Sequence, residues 1–313
     1  MQNIVINVAK YLTMSIKELI YVAGPTAIGK TSISILLAKY FKTEIISCDS
    51  RQLYKEMSIG TAVPSKLERQ EIKHHFIQNK SIHKSYNAGE FEKEGLRLLK
   101  NLFKKHDKII MVGGSGLYAK ALISGLDKFP KVDPKASKKV KEVYKNFGLK
   151  GLKLALLKKD PDYYQTVDKK NPRRLIRALE VYESAKKPYS FFLNQILYDR
   201  PFKSKTLLLQ MPREYLYRRI NRRVEKMVDI GLEDEARDLL PHKKLPALQT
   251  VGYKELFEYF EGKTNFNEAI EGIKKNTRNY AKRQLTWFNK ENAICIEMEE
   301  LNKTFDQIIK KLN

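Results

Sequence analysis

Lys30 and Thr31 close a Gly24-x-x-x-x-Gly29-Lys-Thr pattern, a spacing suited to gripping a di- or triphosphate. The glycines let backbone N–H groups turn inward on an anion, and a following helix adds its positive N-terminal end. Lys30 supplies a mobile charge, and the Thr31 hydroxyl can hold a magnesium ion. Two more positions could carry chemistry. Asp49 follows the run Glu44-Ile-Ile-Ser-Cys48 and could act as a general base, as an outer partner of the magnesium ion, or merely as the cap of the turn at 50–54. Ser115 lies in Gly-Gly-Ser-Gly at 113–116 and could bond a phosphate oxygen or simply cap the next helix.

These residues need strands and helices to present them. The apolar run 19–23 reads as a strand and 31–41 as a helix, with Ile33, Leu36, Leu37 and Tyr40 on one face. A second strand at 44–48 leads into loop and short helix at 49–64. A helix at 88–105, a buried strand at 108–112 and a helix at 117–124 follow. Alternation of this kind predicts an α/β fold, a P-loop NTPase-like parallel sheet flanked by helices. Ligands then bind beyond the carboxyl ends of the strands, where Asp49 would face the phosphate site. The 108–112 strand ends in Gly-Gly-Ser and not in the acidic magnesium ligand usual in P-loop ATPases, which argues against an ordinary ATPase.

The pattern changes after Gly125. Pro130 and Pro134 mark a break, and 135–195 shows only helical stretches rich in Lys, Arg and Tyr. A catalytic core at 15–125 and 196–313 is therefore expected, interrupted by a mostly helical insertion at 126–195. A return strand at 205–211 would be followed by helices at 213–229, 232–240, 252–260 and 267–289, a last strand at 293–297 and a helix at 302–312. Residues 1–17 are weakly patterned, and Met14 could equally be the start.

Sixty Lys and Arg against 36 Asp and Glu leave a formal charge of +24, which favours a polyanionic partner, most often nucleic acid. A merely lysine-rich surface would account for runs such as Lys138-Lys139. It accounts less well for three arginine-bearing helical stripes: Arg173, Arg174 and Arg177; Arg219 and Arg223 beside the apolar line Leu216, Ile220, Val224 and Met227; and Lys275, Arg278 and Lys282. No apolar run is long enough to span a bilayer, and 1–17 has no sustained apolar core of a signal peptide, so a cytoplasmic protein without a membrane partner is expected. Cys48 and Cys295 both lie in apolar runs and read as buried free thiols, with no zinc-type spacing.

Taken together, the chain resembles the tRNA dimethylallyltransferase (tRNA isopentenyltransferase) family from about residue 19 to 288. The resemblance rests on GPTAIGKT at 24–31, SCDSRQLY at 47–54, IGTA at 59–62, VGGSGLY at 112–118, NPRRLIRALE at 171–180, VGY at 251–253 and AKRQLTW at 281–287. It implies transfer of a dimethylallyl group from dimethylallyl diphosphate to N6 of adenine 37 in tRNAs reading codons that begin with U. The product would be i6A37, with diphosphate released. It implies that Gly24, Pro25, Thr26, Ala27, Ile28, Gly29, Lys30 and Thr31 hold the donor, with Thr31 helping to bind Mg2+. It implies Asp49 as general base on the adenine amino group, Ser115 near the reacting centre and Arg223 on the leaving diphosphate. The tRNA anticodon stem-loop would meet Asp49, Ser50, Arg51 and Gln52, Ser115, Ser137, then Arg173, Arg174, Leu175, Ile176 and Arg177, and Gln249, Thr250, Val251, Gly252, Tyr253 and Lys254. A monomer of bacterial type is implied, since the zinc finger of some eukaryotic members is not seen.

Some positions depart from the family pattern. Ile28 replaces a small residue, while Gln249 and Ser137 stand where many or some members are basic. Three other readings remain open at this level: a prenyltransferase acting on free AMP or ATP, a P-loop kinase, and an RNA-binding module with a vestigial phosphate loop. The charge and the helical insertion speak against the first, the Gly-Gly-Ser ending against the second, and the intact Lys30-Thr31 with Asp49 and Arg223 against the third.

Overall fold

The computed structural model describes residues 17–194 and 199–312; the weakly patterned stretch 1–16 lies outside them. Six parallel strands form one sheet: β1 (Glu18–Ala23), β2 (Ile45–Ser47), β3 (His74–His75), β4 (Lys108–Val112), β5 (Lys203–Gln210) and β6 (Ile294–Glu297). Their spatial order is β3-β2-β4-β1-β5-β6. β1 is central and entirely buried, as its unbroken apolar run requires of a strand covered on both faces. The register sets Val22 beside Val112 and Leu207, and Ser47 beside Val112. The carboxyl ends of β1, β2 and β4 therefore share one edge, and the loops after them converge there.

In the core the helices are α1 (Lys30–Tyr40), α2 (Lys66–Glu71), α3 (Ala88–Leu102) and α4 (Gly116–Ser124). The insertion carries α5 (Pro134–Lys159), α6 (Pro161–Thr166) and α7 (Pro172–Ala185). After β5 come α8 (Arg213–Asp229), α9 (Leu232–Leu239), α10 (Tyr253–Phe260), α11 (Phe266–Phe288) and α12 (Leu301–Leu312). The chain divides into two compact units, 1–123 with 200–313, and 124–199.

Two of the first unit's apolar clusters position the site. One packs Ile33, Leu37, Leu216, Ile220 and Ile308 on the sheet residues Ile20, Ile110 and Leu207. The other joins Val224, Leu232, Leu256 and Ile273 to Tyr54 and Met57 from the loop after β2. The line Leu216, Ile220, Val224 thus serves both clusters, and α8 is fixed along its whole length. The second unit has its own core, with Val140, Leu152, Leu156, Leu175 and Leu179 buried.

Several expectations are corrected. Tyr40 is not on the buried face of α1 but 53% exposed, edge-on to Phe41 and Phe305. Cys48 is buried, whereas Cys295 is exposed. β6 is an edge strand, and its period-two alternation turns Ile296 inward and Cys295 out. Helix α2 and the two-residue β3 were not anticipated; β3 pairs at His74 and His75, side chains with little apolar signal.

Candidate active site at the carboxyl edge of the sheet

The phosphate loop fills the turn between β1 and α1. Gly24 and Gly29 adopt φ of 146° and 108°, and Ala27 is held at 65°. That left-handed alanine is anchored by Arg219, whose Nε donates to the Ala27 carbonyl at 2.8 Å. Ile28 is fully buried and packs into the sheet core, so it contributes to the loop through its backbone alone. Lys30 folds back over the loop, its Nζ donating to the carbonyls of Gly24 (3.0 Å) and Pro25 (2.7 Å). Burial pulls its pKa from 10.5 to about 8; the Asp49 carboxylate opposes that shift and the Arg223 guanidinium adds to it.

Asp49 projects from the end of β2. Its Oδ1 accepts the Arg51 N–H at 2.9 Å, and Oδ2 accepts no hydrogen bond among the described residues. Ser115 is turned toward the same loop. Its Oγ accepts the Ser50 N–H at 3.0 Å and donates to Ser50 Oγ at 3.1 Å. The Ser115 hydroxyl thus helps to hold the loop that carries Asp49, and it lies against the Tyr280 phenol, which lines both cavities.

Two cavities meet at Asp49. The first, about 560 Å³, is cationic: Lys30, Arg219, Arg222, Arg223 and Lys226 surround it, with the Thr31 side chain on its wall. The second, about 550 Å³, mixes the apolar groups of Val224, Met227 and Ile273 with Thr250, Asn276 and Thr277. Thr26, Asp49, Thr61, Arg223 and Tyr280 line both. Arg223 makes no hydrogen bond or ion pair among the described residues, and burial lowers its pKa while Asp49 counteracts this. It is a cation left available to a ligand. Tyr280 was not singled out in the sequence. Burial, and after it the nearby Asp49 carboxylate, push its phenol above the ordinary value.

Oxygen donors of this kind suit a magnesium ion. Thr31 offers a hydroxyl beside the cationic cavity, and the described residues contain no group of three His, Cys, Asp or Glu able to cage a metal unaided. An ion here would share Thr31 with phosphate oxygens brought by the ligand.

The other expected contact residues divide by exposure. Arg51 spends Nη1 on the carbonyls of Pro246 and Ala247, and Gln52 donates to those of Thr61 and Ala62. Gln249, Thr250, Val251, Gly252 and Lys254 line the second cavity. Tyr253 does not: it is 0% exposed, with its hydroxyl on Glu235. In the insertion unit, Arg173 and Arg174 are exposed and Arg177 lies 5.6 Å from the Phe129 ring. Leu175 is fully buried, and Ser137 donates to Glu180 at 2.6 Å. Within those stretches Tyr253 and Leu175 present no side-chain surface.

Fold and site together define a P-loop-type α/β protein whose phosphate loop opens on a second, partly apolar cavity. The IPP transferase family model matches residues 52–291, and this chain belongs to that family. Among its relatives, the tRNA dimethylallyltransferase of Christiangramia forsetii is 54% identical over 94% of this chain and 98% of its own. That of Flavobacterium johnsoniae is 50% identical over 88% and 91%. The crystal structure of the full-length tRNA isopentenylpyrophosphate transferase from Bacillus halodurans matches with a TM-score of 0.69 at 34% identity, covering 95% of each chain. A eukaryotic dimethylallyltransferase captured acting on tRNA matches with a TM-score of 0.77 at 27% identity, covering 95% of this chain and 77% of that one.

Proposed function

We propose that the protein transfers a dimethylallyl group from dimethylallyl diphosphate to N6 of adenine 37 in tRNA. The observation that carries this is the pair of cavities joined at Asp49 and Arg223. The cationic cavity takes the diphosphate, held by loop N–H groups, Lys30 and Arg223. The second cavity takes the adenine, whose flat apolar faces suit Val224 and Ile273 and whose polar edge suits Thr250 and Asn276. The allylic carbon then lies at the junction.

Adenine N6 is a weak nucleophile because its lone pair is delocalised into the ring. Asp49 accepts the proton that N6 sheds as the new C–N bond forms. The allylic C–O bond breaks and diphosphate leaves, its charge offset by Lys30, Arg223 and the loop. Magnesium, bound through Thr31 and the donor, would neutralise further charge on that leaving group. The adenine has to leave the anticodon-loop stack, a cost of a few kcal/mol met by contacts elsewhere on the RNA. The +24 charge supplies the field for such contacts. We place the enzyme in the cytoplasm with its tRNA, acting as a monomer because one chain completes both cavities.

Incubation with labelled dimethylallyl diphosphate, magnesium and either bulk tRNA or AMP tests the reading. Label should enter tRNA and be lost when adenine 37 is replaced. Label in AMP alone, or in neither acceptor, defeats it.

A further inference from the structure

The stretch AKRQLTW at 281–287 has no part in the chemistry above, yet it packs against the site. Gln284 is 5% exposed on α11, and both ends of its amide are engaged. Its Oε1 accepts the Thr26 N–H of the phosphate loop at 2.8 Å. Its Nε2 donates to the Gly114 carbonyl at 2.9 Å. Gly114 immediately precedes Ser115, which holds Ser50 and so the Asp49 loop. One amide thus spans the loop that grips the leaving group and the loop that supports the base.

The glycines after β4 are shaped to this contact. A Cβ on Gly114 would lie 2.0 Å from Gln284 Nε2, and one on Gly116 would lie 2.1 Å from Trp287 Nε1. Tyr280, one turn before Gln284 on the same helix, lines both cavities. So α11 comes in at van der Waals range only because these positions lack side chains.

We propose that Gln284 is a positioning residue that sets the separation of the donor loop from the Asp49 loop. The inference rests on the transfer reaction proposed above. Glutamine satisfies both bonds at this length whatever the pH. An ionised glutamate cannot donate to Gly114, methionine can do neither, and asparagine is one methylene short. A loosened strut leaves both subsites able to bind but displaces them from each other, and displacement of about 1 Å costs transfer rates on the order of a hundredfold.

The test compares wild type, Gln284→Met and Gln284→Glu with labelled dimethylallyl diphosphate and tRNA. In Gln284→Met, kcat should fall roughly tenfold to a hundredfold while both KM values stay within about threefold. Gln284→Glu supplies a readout that a packing defect does not move. A buried glutamate protonates above its ordinary range, and the acid form again both accepts and donates. Its rate relative to wild type at the same pH should therefore rise about fivefold or more between pH 8 and pH 6. A Gln284→Met kcat within about twofold of wild type overturns the proposal. So does a flat pH ratio for Gln284→Glu, which decides the matter even where Gln284→Met fails to fold. Wild-type protein that labels no tRNA defeats the reaction itself, and this inference with it.

Discussion

The Tyr253 hydroxyl donates to Glu235 Oε1 at 2.7 Å, and the same carboxylate accepts the N–H groups of Ser58, Ile59 and Gly60 at 2.8, 2.8 and 2.9 Å. Four donors from two segments converge on one side chain of α9. The loop so held carries Gly60 and Thr61 onto the wall of the second cavity. Removing the acceptor strands three backbone donors and a buried phenol. Glu235→Ala should cost about 2–4 kcal/mol, and Tyr253→Phe, which loses a single bond, about 1 kcal/mol. Denaturant unfolding of the purified proteins measures both. Equal costs for the two variants would mean that the loop does not depend on the carboxylate.

Lys30 gives the reaction a pH dependence of known sign. In the free protein its pKa is lowered to about 8, so the ammonium that meets the diphosphate is lost as pH rises through that value. Donor kcat/KM should show a descending limb near pH 8. In kcat the limb should move upward, because a bound diphosphate favours the charged lysine. Folding responds in the opposite direction. Unfolded lysine keeps its proton to about 10.5, so this group's contribution to stability rises with pH between 8 and 10.5. Lys30→Met should abolish the limb and lower kcat/KM on the order of a hundredfold. A limb that survives in Lys30→Met belongs to another group.

Asp49 is separable from binding. Asp49→Asn keeps an acceptor for the Arg51 N–H, and so the loop, while removing the proton acceptor. We expect kcat to drop roughly 10²- to 10⁴-fold with tRNA affinity near normal; Asp49→Ala should behave alike but with some loss of loop order. Single-turnover transfer beside a filter-binding titration distinguishes the two effects. Wild-type turnover in Asp49→Asn would remove Asp49 from the role of base.

Arg223 and Arg219 sit one turn apart on α8 yet should fail differently. Arg223 has no protein partner among the described residues and lines both cavities, so Arg223→Gln should lower kcat about a hundredfold with little change in stability. Arg219 holds the strained Ala27 carbonyl, so Arg219→Gln should mainly raise the donor KM. Ala27→Gly, which relieves that φ, should restore part of the loss. Steady-state kinetics on the three variants checks the ordering.

What could be read without coordinates follows the range of the physics. The phosphate loop and Asp49 were legible because strand, glycine turn and helix are written locally, and a parallel sheet gathers strand ends by geometry alone. Gln284 and Glu235 were not legible. Each is one polar residue at a core-facing position of an amphipathic helix, and its backbone partners lie 170 or more residues away in the chain. A hint existed at spacings of three and four along α11, where Thr277, Tyr280, Gln284 and Trp287 put polar groups at inward positions. Burial within the expected contact stretches was not legible for a related reason. On a helix, neighbours point in different directions, so Leu175 and Tyr253 are buried beside the exposed Arg174 and Lys254.

The insertion unit allows contact to be told from packing. Arg173 and Arg174 are exposed at the start of α7, while Leu175 is fully enclosed by the unit's own core. If the arginines meet phosphates, Arg173→Ala and Arg174→Ala should each lower the slope of log affinity against log salt by about 0.7–1. Leu175→Ala should leave that slope unchanged in the folded fraction and destabilise the unit by about 2–5 kcal/mol. The salt titration is the decisive part, because a weaker affinity alone would follow from either mechanism. An unaltered slope in both arginine variants would assign the +24 charge to other phosphate contacts, with the α8 arginines next in line.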